Sequence, residues 1–224
     1  LVTKTGYVHE QEDQVWLTRL LAKMMEEGSA SRTSDQIAEQ LSGMGGDIRV
    51  SVGRHNTLVG TNVLYEFAPD ALEILAEVLM QPALPDSEVD RFKSDLKRNL
   101  SVALSRPQSK VTDQFYKTLF PDHAYGRLYT DEAQIDSYTA EQVRAFYEAN
   151  YGAKRTVLYV AGKFDVAAVR QKAKELLSSW KPGPDVSWPA VSVDPIPGVQ
   201  LLDKPGSVQS TLRLGLPVVD PTHA

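Results

Sequence analysis

Apolar residues along this chain recur at two different periods, and the switches between them mark out its elements. From 13 to 27 the spacing is helical: Trp16, Leu20 and Met24 form one row, Leu17 and Leu21 the next. Gly28 ends that helix. Ser34 is placed as the N-cap of a second helix, whose buried face is Ile37, Ala38 and Leu41, and Gly45-Gly46 stops it. The period then changes to two. Ile48, Val50 and Val52 alternate with Arg49 and Ser51, a turn follows over 53–56, and residues 58–65 read as the returning strand of a hairpin.

Helical spacing returns over 70–80, with Leu72, Leu75, Ala76 and Leu79 inward, and Pro82 and Pro85 break the chain. A long helix is predicted over 87–105, carrying Val89, Phe92, Leu96, Leu100 and Ala103 on one face. Further helices are expected at 109–119, 139–149 and 166–180. Residues 1–8 alternate weakly and suit a strand, and 157–161 reads as an apolar, buried one. Residues 181–198 hold Pro182, Pro184, Pro189, Pro195 and Pro197, with Pro205 just beyond, and almost no helical pattern, so we expect a linker there. Two more strands are expected at 199–203 and 211–216. Together these elements predict an α+β fold, a mostly antiparallel sheet with several helices packed on one face.

Composition narrows the function classes. Of 224 residues, 42% are hydrophobic and 24% charged, which is ordinary globular usage. No apolar run approaches the roughly 18 residues of a membrane helix. The net charge is −5 with no basic block, which argues against a nucleic-acid partner. The absence of Cys excludes disulfides, Cys-ligated zinc and thiol nucleophiles. There is no Gly-x-Ser-x-Gly elbow, and the glycines at 43–46 lack the strand and helix that a phosphate loop needs. The four histidines, His9, His55, His123 and His223, share no helix-face spacing. His55 falls in the hairpin turn and is expected to be exposed. His123, with Tyr125 and Arg127, reads as a structural turn, with contact to a substrate as the alternative.

The helix at 16–29 carries the most specific signal. It resembles the active-site helix of insulinase-type (pitrilysin-type, inverzincin) zinc peptidases, in which His-x-x-Glu-His precedes a Met and then Gly-Thr. The frame is kept in Leu20, Leu21, Met24, Gly28 and Ser29. The chemical positions are not: the first His falls on Arg19, the Glu on Ala22 and the second His on Lys23. The family's distal Glu falls near Asn99, with Arg98 beside it and no carboxylate within two residues. Protonated cations cannot ligate zinc. The resemblance continues in order through Ser31–Leu41 with Gly45-Gly46, through Phe120-Pro121-Asp122-His123-Ala124-Tyr125-Gly126-Arg127, through 138–151 and through 155–165. Arg19 and Lys23 then have two readings: a solvated face with Lys23 paired to Glu27, or an internal cationic patch replacing the metal's charge.

The resemblance implies a metallopeptidase-homology domain over 1–180, truncated at its N-terminus, the linker at 181–198, and the start of a second homologous domain at 199–224. It implies a non-catalytic subunit of a bacterial, processing-peptidase-like enzyme. Such a subunit closes a chamber around unfolded peptides with an active homologue, as a heterodimer or a homodimer. Zinc is then expected only in the active partner and no cofactor in this chain. The alternatives are a scaffold subunit without peptide handling, or the inactive half of a polypeptide whose active half lies elsewhere. The family's peptide-binding strand edge falls on Gly46, Asp47, Ile48, Arg49, Val50, Ser51 and Val52. The compartment is read as bacterial periplasm or cytoplasm, the periplasm slightly favoured.

Overall fold

A computed structural model of the chain describes residues 1–191, 198–203, 205–206 and 208–216. Among these residues four short strands form one antiparallel sheet in the order β2-β3-β1-β4. They are β1 (Val2–Thr3), β2 (Arg49–Val52), β3 (Thr57–Gly60) and β4 (Thr156–Val157). β2 and β3 form the predicted hairpin, closed by the Gly53 N–H donating to the Asn56 carbonyl (2.7 Å). The strand expected over 1–8 shrinks to β1, because the chain turns into a 3-10 helix at Tyr7–His9.

The described residues also form eight α-helices: α1 (Leu17–Met25), α2 (Ser34–Gly43), α3 (Ala68–Met80), α4 (Val89–Ser105), α5 (Pro107–Leu119), α6 (Glu132–Ser137), α7 (Ala140–Asn150) and α8 (Val166–Leu177). α1 is the hub, packed on β2, α4 and α7, while α3 packs on β3 and α8. Seven of the nine residues of α1 are buried, which explains why Leu and Met supply five of them. Three buried tyrosines pin the layers where apolar residues alone would slide. The hydroxyl of Tyr138 donates to the Val15 carbonyl (2.6 Å), that of Tyr147 to the Leu79 carbonyl (2.7 Å), and that of Tyr151 shares a hydrogen bond with Thr57 (2.8 Å).

Several expectations need correction. Helix α2 is capped by Thr33, not Ser34: Thr33 and Gln36 form a reciprocal capping box one residue earlier. Helix α1 starts at Leu17, four residues late, since Glu12–Gln14 is a 3-10 turn and Trp16 has φ 78°. The segment 157–161 is not a buried strand. Only Thr156–Val157 pairs, at the sheet's edge, and Tyr159 is 70% exposed. The segments 199–203 and 211–216 form no strand among their described residues, and Leu212 and Leu214 stand about nine-tenths exposed. Among the described residues no neighbouring ladder meets their backbone, and a strand without one is not stable alone.

The described start of the proline-rich run is fastened to the body. Prolines cannot donate, but carbonyls still accept: the Ala153 and Lys154 amides donate to the Lys181 and Pro182 carbonyls (3.0 and 2.9 Å). Arg155 reaches the Asp185 carbonyl (2.9 Å). Gly152 and Gly183 lie back to back, and a Cβ on Gly183 would sit 2.7 Å from the Gly152 Cα. Residues 192–197 lie outside the described residues.

Candidate functional site

The N-terminus of α1 is held by a residue that precedes it by seven positions. Glu10, 4% exposed, accepts hydrogen bonds from the Trp16 amide (3.1 Å), the Thr18 amide (2.8 Å) and the Thr18 hydroxyl (2.6 Å). These are donors that the first turn of a helix leaves unpaired. Burial pushes the Glu10 carboxyl up to about 7, against the pull of those donors and of Arg19. The cap fixes Trp16 in its left-handed conformation and so sets the direction in which α1 leaves.

Of the nine residues of α1, only Arg19 and Lys23 are exposed. They lie one turn apart and form the helix's single solvent-facing stripe. The Arg19 guanidinium stacks over the Trp16 ring, 4.3 Å from its centre. Lys23 pairs with Glu26 (2.8 Å) rather than Glu27, because Glu27 is taken by Arg91 of α4. Ala22 is buried. Asn99 stands exposed on α4, which packs against α1, and Arg98 beside it pairs with Asp95 (2.7 Å). The solvated-face reading of Arg19 and Lys23 therefore describes their setting, although Lys23 also holds a carboxylate in place.

That carboxylate reaches the expected peptide edge. Across the hairpin Val50 faces Val59. The amide and carbonyl of Val59 both bond Leu1 on the β1 side (2.9 and 2.8 Å). In an antiparallel ladder the opposing residue then points its own amide and carbonyl outward, so those of Val50 face the sheet's open edge. Glu26 accepts from the Val50 amide there (3.4 Å). Of the predicted segment only Arg49, Val50, Ser51 and Val52 are ladder; Gly46, Asp47 and Ile48 lead into it. Gly46 cannot carry a side chain, since a Cβ would lie 2.1 Å from the Asn62 carbonyl oxygen.

A second constellation gathers the other histidines. The rings of His9 and His55 flank Trp188 (centroids 5.3 and 5.2 Å), and His55 hydrogen-bonds the Tyr125 hydroxyl. His123 is buried, accepts from the Tyr125 amide (3.1 Å) and packs edge-on against its ring, which favours its structural role. Burial lowers the pKa of all three. Beside them lies a groove of about 410 Å³ lined by His123, Arg127, Arg155 and Trp188. His223 lies outside the described residues.

Residues 1–131, more than half of the chain, match the family described as insulinase (peptidase family M16). The chain belongs to that family. Residues 137–224 match the peptidase M16 inactive domain. An "Uncharacterized zinc protease" of Rickettsia felis is 27% identical over 82% of this chain and 45% of its own length. The beta subunit of mitochondrial-processing peptidase from Dictyostelium discoideum is 25% identical over 79% of this chain and 38% of its own. Among solved structures, a protease from Helicobacter pylori shares the fold at a TM-score of 0.76 and 16% identity, over 86% of this chain and 47% of that one. A peptidase M16 inactive domain from Pseudomonas fluorescens does so at 0.73 and 20%, over 83% and 46%. The chain thus spans about half the length of the relatives it matches or less.

The residues standing in the metal register do not fit zinc. Arg19 and Lys23 are cations engaged with Trp16 and Glu26, Ala22 has no donor, and Asn99 offers only a neutral amide. Among the described residues no three His, Cys, Asp or Glu side chains are grouped to hold a metal elsewhere. No helix among them is long and apolar enough to cross a membrane.

Proposed function

We propose that this chain is a non-catalytic member of an M16 peptidase assembly, supplying wall and peptide contacts while an intact homologue supplies the zinc. The observation that carries this reading is the combination on α1. The helix keeps its complete buried face, its Glu10 cap and its packing on the edge strand β2, yet both exposed positions are cations. A fold maintained around a vacated reaction centre serves geometry rather than chemistry. The peptide-facing part is the outward edge of Val50, where an extended chain adds main-chain hydrogen bonds. Relatives named as alpha and beta subunits of mitochondrial-processing peptidase support a paired assembly.

Mixing tests the reading. The chain is combined with a homologue that carries His-x-x-Glu-His, and cleavage of an unfolded peptide is followed with and without a chelator. The mixture is expected to exceed the sum of its parts, to lose activity with the metal, and to elute as one complex. A homologue fully active alone that never associates with this chain would leave a scaffold role instead.

A further inference from the structure

The cation at the first vacated position faces a cleft that the peptidase reading does not use. This cleft, about 120 Å³, lies between the start of α1 and the segment 127–129, and Tyr7, Trp16, Arg19, Arg127 and Tyr129 line it. Two guanidiniums therefore meet three aromatic rings. Among the described residues Arg19 has no carboxylate at ion-pairing distance; its guanidinium stacks on the Trp16 ring, and Glu10, Tyr7 and Tyr129 act on it through space. Arg127 donates to the Glu10 carbonyl (2.9 Å) and stands 3.9 Å from the exposed Glu12, but its buried Nε has no acceptor. A buried guanidinium N–H without an acceptor is costly, and an anion in the cleft would supply one.

We propose that this cleft is a carboxylate-binding site, in which Arg19 and Arg127 take the carboxylate and Tyr7, Trp16 and Tyr129 take the carbons beside it. Size and charge select this class. The room is of the order of a cavity that holds one benzene ring, so it admits a small acid group and not a nucleotide. The Glu10 carboxyl, pushed up to about 7, also lines the cleft, and in its ionised form it opposes a phosphate dianion more than a carboxylate. Guanidinium forks match carboxylates, and rings stack on the attached carbons. The carboxylate can come from a peptide's C-terminus or from an acidic side chain. The site is independent of the proposed assembly, because this chain alone contains all of it.

The test titrates the full chain with three short peptides. One has a free C-terminal carboxylate and no acidic residue, one is amidated and carries a single Glu, and one is amidated with no acid. The reporter is the Trp16 indole N–H resonance, held at the Leu128 carbonyl (2.9 Å). At least one acidic peptide is expected to shift it saturably, and the arm that does so identifies the source; the neutral peptide is expected to leave it unmoved. Arg19→Ala, at an exposed position that needs no repacking, is expected to weaken binding about tenfold, with Arg19→Lys intermediate. No saturable shift at about 10 mM of either acidic peptide, an equal shift from the neutral one, or an unchanged affinity in Arg19→Ala would each overturn the proposal.

Discussion

Replacing Glu10 with Gln tests the cap that positions α1. Glu10 titrates near 7 in the folded chain against 4.5 when free, a raised value caused first by burial. The sign follows from linkage: an acid with a raised folded pKa holds its proton longer in the folded state. Its contribution to stability is complete below about 4.5 and is lost as pH rises through about 7. At about 1.4 kcal/mol per pH unit, the loss between pH 5 and pH 8 is about 3 kcal/mol. Gln cannot ionise. It keeps an oxygen for Thr18 but turns an amide toward the Trp16 N–H, a cost of about 1 to 3 kcal/mol that does not vary with pH. His9, His55 and His123 titrate in the opposite sense, since their pKa values are lowered, but they do so in both proteins and cancel in the difference. Urea unfolding at pH 5, 6, 7 and 8 measures that difference. The wild type is expected to be the more stable at pH 5 and to lose its margin by pH 8. A difference that stays flat or grows with pH would refute the account of Glu10.

Leu20→Ala removes a side chain with no exposed surface and is expected to cost about 2 to 5 kcal/mol, whereas Arg19→Ala next to it should cost under about 1; equal costs in chemical denaturation would mean that the two faces of α1 are misassigned. Glu26→Ala removes an exposed pair with Lys23, so stability should change by less than about 1 kcal/mol. The same change frees the Val50 amide, so an uncharged, amidated extended peptide should bind severalfold more tightly by calorimetry; weaker binding would show that Glu26 itself holds the peptide.

The elements that sequence periodicity located are those whose burial is one-sided and long. Rows such as Trp16-Leu20-Met24 and Phe92-Leu96-Leu100 are buried as their spacing implies. Short elements escaped: α6 spans six residues, too few to show a period, although its Asp131 cap was a visible signal. The apolar run 157–161 misled because composition does not say whether a strand has neighbours on both sides, and here Val157 lies at the sheet's edge. At the site, Arg19, Ala22 and Lys23 could be assigned from the frame that Leu20, Leu21 and Met24 keep, and Asn99 from the sequence distance to the family's distal Glu. What those residues touch could not. The Glu10 cap, the Lys23–Glu26–Val50 chain and the meeting of Arg19 with Arg127 join segments brought together only by folding.

Zinc content tests the central claim, that the fold of an M16 peptidase is kept here around a centre that no longer takes the metal. The chain and a homologue with intact His-x-x-Glu-His are each equilibrated with zinc, dialysed against metal-free buffer and assayed by elemental analysis. The homologue should retain one zinc per chain. This chain should retain none, because Arg19, Ala22, Lys23 and Asn99 supply no set of ligands. Stoichiometric zinc in this chain, lost on substituting Lys23 or Asn99, would contradict the account.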